Sequence, residues 1–315
     1  MPARFNPIKV FAGSASRALA EKMVPYLGAP LGKSRLQRFS DGELQPVIEE
    51  SVRGCDVFFV QSTYSPADHL MELLLMIDAA RRASAHYITA VVPYYGYGRQ
   101  DRKDKPRVPI GARLIADMLT VAGAHRVITI DLHAGQIQGF FNIPLDHLEA
   151  RVIFIPYIKA LGLEPLVLAA PDMGSSARVR EYAKFLNAEM VICDKHRERA
   201  NEISEMRLIG DVKGRHVVII DDMIDTAGTL TAAAGLIMEQ GALSVRALAT
   251  HAVFSGPALE RIEQSVLEEV VVTDTIPLKK SAPKIRVLSV AELLVQAIRS
   301  VYEHRSISQL LRVKE

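Results

Sequence analysis

Cysteine is scarce: Cys55 and Cys193 are the two in 315 residues. So few exclude a disulfide framework and suit a reducing compartment. Long hydrophobic runs are missing as well. No stretch approaches the roughly 18 apolar residues of a membrane span. The first residues, MPARFNPIKVFAGS, lack the apolar centre of a secretory leader and enter a strand-like run almost at once. The expectation is a soluble, cytoplasmic protein with no membrane partner. Charge of one sign is also absent, since 38 Lys and Arg against 36 Asp and Glu leave a formal net charge of +2. A nucleic-acid binder usually shows a basic excess or stripe, so that class is not expected. An anionic ligand must be held by a local site. No low-complexity linker interrupts the chain, so its parts are expected to pack closely.

What is present is an ordinary globular balance, 49% hydrophobic and 23% charged, over a length that suits two domains of about 150 residues each. Short β-rich apolar runs recur at 8–12, 57–60, 88–92, 127–130, 166–169, 190–192, 217–220 and 270–272. Their unbroken apolarity suits strands covered on both faces, as in parallel sheets. Helical patterns lie between them. The stretch 65–85 opens with Ser-Pro-Ala-Asp, read as a cap with proline in the first turn, and carries Leu70, Leu73, Leu74 and Ile77 at helical spacing. Strands alternating with helices predict an α/β fold with two mainly parallel sheets. The two halves share an outline, VITIDLHAG at 127–135 and VVIIDDMIDTAG at 217–228, though any doubly wound fold yields such pieces. The boundary is placed near 146–151, giving domains 1–148 and 149–315.

Ligands of open parallel sheets bind beyond the carboxyl ends of the strands. The segments just past the strands are polar here: PYYGYGRQDR at 93–102, DLHAG at 131–135, PDMGSSARVR at 171–180, DKHRER at 194–199 and DDMIDTAGT at 221–229. The last is the most telling. A buried strand delivers Asp221 and Asp222, and a turn then presents Thr226, Ala227, Gly228 and Thr229 before a helix. Backbone N–H groups and hydroxyls at a helix start cradle a phosphate, and the acidic pair accepts from vicinal sugar hydroxyls. Phosphate at one end and diol at the other describes ribose 5-phosphate. A plain helix cap does not require two acids and that whole turn. The other segments read both ways from the residues alone. RFSDGE at 38–43 is also an ordinary Asp-Gly turn, and GRQDRK is also a solvated charge run. His133 reads better as a satisfied core histidine, and Lys195 with Arg197 reads equally as a charge cluster at a helix start. The GAPLGKS of 28–34 imitates a phosphate-binding P-loop, but three residues separate its glycines where that loop needs four.

The 221–229 segment resembles the phosphoribosyl-pyrophosphate-binding loop of the type I phosphoribosyltransferase fold. With RFSDGE, ESVRGCDVFFVQS at 50–62, MELLLMIDAARRASA at 71–85, YGRQDRK at 97–103, DLHAGQIQGFF at 131–141, PDMG, DKHR, HAVFSG at 251–256 and TDTIP at 273–277, the chain resembles the phosphate-activated ribose-phosphate pyrophosphokinases over nearly its whole length. That resemblance implies two tandem phosphoribosyltransferase-like domains. It also implies transfer of the terminal pyrophosphate of ATP to ribose 5-phosphate. It assigns Phe39, Asp41 and Glu43 to the adenine of ATP, and Gly42, Arg99, Gln100 and Asp101 to ATP. Arg197, Asp221, Asp222, Asp225, Thr226, Ala227, Gly228 and Thr229 go to ribose 5-phosphate. Lys195 and Arg197 become a catalytic lid. His133 and Asp172 would hold Mg2+, which prefers oxygens, so the ion is expected to be shared with ATP phosphates. It further implies a hexamer controlled by phosphate and ADP, with Ser51, Arg53, Arg107, Ser306 and Ser308 as effector residues. The chain departs from the pattern at Ser175, Gly135, His196, Leu311 and Pro106. Ser175 stands where a second glycine is usual, which is expected to cost backbone freedom. Two other readings compete. A catalytically silent regulatory homologue would have a damaged lysine loop, and a phosphoribosyltransferase would leave RFSDGE and YGRQDRK unexplained.

Overall fold

A computed structural model of the chain describes residues 6–196 and 205–312. The fold divides into two compact units. Among the described residues the first comprises those up to Glu149, Thr275–Pro277 and Ser289–Arg312, and the second those of Ala150–Asp274 and Leu278–Leu288.

The first unit runs β1 (Ile8–Ala12), α1 (Arg17–Leu27), β2 (Ser34–Arg38), β3 (Leu44–Ile48), β4 (Asp56–Val60), α2 (Asp68–Arg82), β5 (Tyr87–Val92), α3 (Gly111–Ala122), β6 (Arg126–Ile130) and β7 (Leu145–Leu148). Its sheet has the order β1-β4-β5-β6-β7 with every pairing parallel. Strand β4 shows why its apolarity is continuous. Val57, Phe58, Phe59 and Val60 are all buried, although successive side chains point to opposite faces. Val57 and Phe59 join Leu73 and Ile77 of α2 and Leu119 of α3 in one core cluster. Truncating Phe59 to alanine there costs about 3–5 kcal/mol. Strands β2 and β3 form a separate antiparallel hairpin. Helix α2 starts at Asp68 with Ala67 as its cap residue. The expected Ser65 cap is not made, and the chain turns through Pro66 before the helix begins, with His69 N–H on the Pro66 carbonyl at 3.2 Å.

The second unit runs α4 (Arg151–Ala160), β8 (Leu166–Ala170), α5 (Ser176–Leu186), β9 (Glu189–His196), β10 (Glu205–Ile209), β11 (His216–Ile224), α6 (Gly228–Glu239), β12 (Ser244–Ala252), α7 (Ala258–Gln264), β13 (Glu269–Thr273) and β14 (Ile285–Leu288). Its sheet order is β10-β9-β8-β11-β12-β13-β14. All pairings are parallel except β10 on β9. Strand β11 is central, between β8 and β12, and Val217 and Ile219 sit in the core with Ala233 and Ile237 of α6. Helix α8 (Ala291–Tyr302) belongs to the first unit, where Arg299 Nη2 donates to the Tyr26 carbonyl at 2.7 Å. Among the described residues no helix is long and apolar enough to cross a membrane.

Candidate active site

The polar segments lie where the strands end. In the second unit, β11 delivers Asp221 and the buried Asp222 (6% exposed). Asp221 Oδ1 accepts from Ser175 Oγ at 2.9 Å and from the Asp222 N–H at 2.9 Å. Burial, with the Asp222 charge beside it, pushes the Asp221 carboxyl up to about 7. The turn after β11 is held from outside. Phe254 N–H donates to the Ile224 carbonyl at 3.0 Å and Ser255 N–H to the Asp225 carbonyl at 2.9 Å. Ala227 takes the left-handed conformation, φ 60°, which is strained for a residue with a Cβ and confined to sites the surroundings enforce. Within the described residues the backbone N–H groups of 226–229 make no hydrogen bond. They are the free donors of the α6 start, and such a group attracts an anion.

Beyond β8, Asp172 Oδ1 accepts from the Ser175 N–H at 2.9 Å and from Ser175 Oγ at 3.1 Å. Ser175 has φ −82° and ψ −7°, a right-handed conformation any residue adopts. The expected backbone cost of serine at this place is therefore absent. Lys195 lies on β9 opposite Met206. Its side chain, that of His196, and Arg197 lie outside the described residues. Cys193 is buried and its thiol is pushed up to about 11, so it is a packing residue with little thiolate character.

In the first unit, the β2–β3 hairpin presents Phe39, Asp41, Gly42 and Glu43 at its tip. The tip is closed by Phe39 N–H to the Glu43 carbonyl and Gly42 N–H to the Phe39 carbonyl, both 2.9 Å. Glu43 N–H adds a bond to Asp41 Oδ1 at 3.1 Å. Gly42 has φ 97°, a conformation that favours glycine. Arg38 braces the tip through the Gly42 carbonyl at 3.2 Å and Asp68 at 2.8 Å. The Phe39 ring is 53% exposed and open to stacking. After β5, Gln100 is stitched to α3, its carbonyl accepting from Ala112 N–H at 3.1 Å. Asp101 accepts from Gln136 at 2.7 Å. His133 is exposed, which overturns its reading as a core histidine. Its loop is anchored by Leu132 N–H on His147 Nε2 at 3.0 Å. Among the described residues no three His, Cys, Asp or Glu side chains converge as a metal site.

Comparison with known proteins places the chain. Residues 8–123 match the model of the N-terminal domain of ribose phosphate pyrophosphokinase, and residues 168–312 the phosphoribosyl synthetase-associated domain. The ribose-phosphate pyrophosphokinase of Porphyromonas gingivalis is 57% identical over 97% of this chain and 98% of its own. The chain belongs to the ribose-phosphate pyrophosphokinase family.

The ribose-phosphate pyrophosphokinase of Campylobacter jejuni is 54% identical over 96% of this chain and 98% of its own. A crystal structure of phosphoribosylpyrophosphate synthetase from Mycobacterium smegmatis superimposes with a TM-score of 0.90 at 40% identity, covering 95% of this chain and 100% of that one. Within this pyrophosphokinase fold the five effector candidates scatter. Ser308 lines a cleft of 520 Å³ in the first unit with Arg126, Gln138, Asp146, His147, Arg305 and Leu311. Ser306 accepts from the Ser308 N–H at 3.3 Å. Arg53 instead donates to Ser84 at 3.1 Å, and Ser51 and Arg107 are exposed elsewhere on the unit. The cleft's Arg126, His147 and Arg305 were missed by sequence reasoning, because β6, β7 and the C-terminal segment bring them together from distant stretches.

Proposed function

We propose that the protein transfers the β,γ-diphosphate of ATP to the 1-hydroxyl of ribose 5-phosphate, giving phosphoribosyl pyrophosphate and AMP for nucleotide synthesis. The observation that carries this reading is the end of β11, an acidic pair with Asp222 buried, leading into a turn whose 226–229 N–H groups are unbonded, in a chain of this family. The turn, with the hydroxyls of Thr226 and Thr229, takes the 5-phosphate. Asp221 and Asp222 accept from the ribose hydroxyls, and Asp225 lies between them and the cradle. The 1-hydroxyl oxygen attacks the β-phosphorus, the bond from that phosphorus to the bridging oxygen of AMP breaks, and the hydroxyl proton goes to solvent or a nearby base. Such transfer depends on positioning and charge neutralisation. Lys195 and Arg197 supply that charge, and Phe39, Asp41, Gly42, Glu43, Arg99, Gln100 and Asp101 hold ATP.

Mg2+ supplies charge neutralisation at the ATP phosphates when bound. Asp172 and His133 are its protein partners in this reading. Taken singly, each keeps a feature a weakly held ion could use: Asp172 has Oδ1 committed to Ser175 and its other oxygen unengaged, and His133 is exposed. Phosphate and ADP act as effectors at the Ser308 cleft, whose Arg126, His147 and Arg305 suit anions. The working protein is a cytoplasmic hexamer, which sedimentation analysis tests directly. No observation favours a silent regulatory homologue, since Asp172, His133, Lys195 and the whole 221–229 segment are present.

Phosphorus NMR of the protein with magnesium, ATP, ribose 5-phosphate and free phosphate tests the chemistry. AMP with a new diphosphate doublet on ribose is expected. ADP as the sole product would make it an ordinary sugar kinase.

A further inference from the structure

Three consecutive carbonyls leading into the phosphate turn are occupied from one neighbouring segment. Those of Ile224 and Asp225 accept from Phe254 and Ser255, which lie just past β12. The third, Thr226, accepts from Arg261 Nη1 on α7 at 3.0 Å. The Thr226 carbonyl is the one that would otherwise receive the Leu230 N–H as α6 begins. Because the carbonyl side of the turn is taken up in this way, its N–H side remains open for a ligand. Arg261 also reaches past Thr226. A Cβ built on Gly228 would lie 3.2 Å from its Nη1, so the guanidinium sits against the middle of the cradle. Helix α7 is fixed there by Ala258 and Ile262, both in the core of the second unit, while Arg261 itself is exposed.

Among the described residues the Thr226 carbonyl is the one hydrogen-bond acceptor Arg261 has. A guanidinium carries five N–H donors in a fixed fork, matched to phosphate oxygens. We propose that Arg261 is a specificity-determining residue that reads the phosphate end of ribose 5-phosphate. One N–H pins the turn, and the remaining donors and the charge meet the 5-phosphate. The inference rests on the assignment of that turn to the substrate phosphate. It adds a side chain from outside the 221–229 motif.

Arg261→Gln keeps a donor for the Thr226 carbonyl and removes the charge, whereas Arg261→Lys keeps the charge and loses the fork. Calorimetric binding of ribose 5-phosphate to wild type and both variants is compared with their KM values for ribose 5-phosphate and ATP. Circular dichroism checks the fold. Charge recognition predicts that R261Q weakens ribose 5-phosphate binding and raises its KM by roughly tenfold to a hundredfold. R261K then recovers part of the loss, and the KM for ATP stays within about twofold in both. Equal, small effects in the two variants, or equal rises for both substrates, would make Arg261 a strut and overturn the proposal. If R261Q does not fold, R261K decides: its KM must rise for ribose 5-phosphate and not for ATP. Wild type that binds ribose 5-phosphate without releasing AMP would defeat the proposed reaction, while the binding comparison would still decide Arg261. Wild type that binds none would defeat both.

Discussion

Ser175 places one hydroxyl between two carboxylates, 3.1 Å from Asp172 Oδ1 and 2.9 Å from Asp221 Oδ1. A hydroxyl has one proton to give, and each carboxylate already holds one backbone N–H, Asp172 that of Ser175 and Asp221 that of Asp222, so the shorter contact marks Asp221 as the acceptor. Ser175→Ala leaves the half-buried Asp221 carboxyl short of a donor. We expect a loss of about 1–3 kcal/mol in stability, read from urea midpoints; an unchanged midpoint would show the bond is not made in solution. Lys195 tests the other half of the site. Lys195→Ala is expected to lose turnover by about a hundredfold or more with the fold intact, and near-normal turnover would remove it from the chemistry. The acids of 221–222 and the 226–229 turn were legible in the sequence because their chemistry is contiguous. Ser175 and Arg261 were not, since their partners lie 46 and 35 residues away and only the sheet order joins them.

Elements differ in how openly the sequence shows them. Strands such as β4 and β11 are buried on both faces and read as unbroken apolar runs. Strands β2, β3 and β14 are only partly buried along their length, so the same selection for apolarity does not act on them. Strand β12 hides for another reason: Thr250 and His251 are buried polar residues that interrupt its pattern. Strand β7 is short and half-buried, yet it has a task. His147 on β7 holds the Leu132 N–H, one residue before His133, and also lines the Ser308 cleft. His147→Phe removes the acceptor and frees the loop. The magnesium concentration for half-maximal rate is expected to rise about threefold or more, as for other supporting partners of metal-binding loops, while the KM for ribose 5-phosphate stays put. A magnesium requirement that does not move would show that the loop holds its place without β7.

For the whole molecule, two units were legible in the chain's length and in its repeated strand-loop-helix order, but the membership of α8 was not. An amphipathic helix looks the same whichever core it covers; here α8 supplies the first unit, tied to α1 through Arg299. That unit also carries a titrating contact that links its stability to pH. His125 Nδ1 accepts from the Ile88 N–H at 3.0 Å, its ring stacks on Tyr87 with centroids 5.0 Å apart, and His86 and Arg81 lie near. Loss of water around the ring first, then the nearby His86 and Arg81, lower its pKa from the ordinary value of 6.5. A proton on Nδ1 would also break the bond to Ile88. Between the lowered folded value and the unfolded one, the unfolded chain binds more protons, so stability rises with pH across that window. The contribution is complete above about pH 6.5 and is lost as pH falls through the folded value. His125→Asn keeps an acceptor and removes the titration. Urea midpoints between about pH 5 and 7.5 should therefore climb with pH less steeply in H125N than in wild type. Parallel curves would assign the pH dependence of this unit to other groups and leave His125 a neutral packing residue.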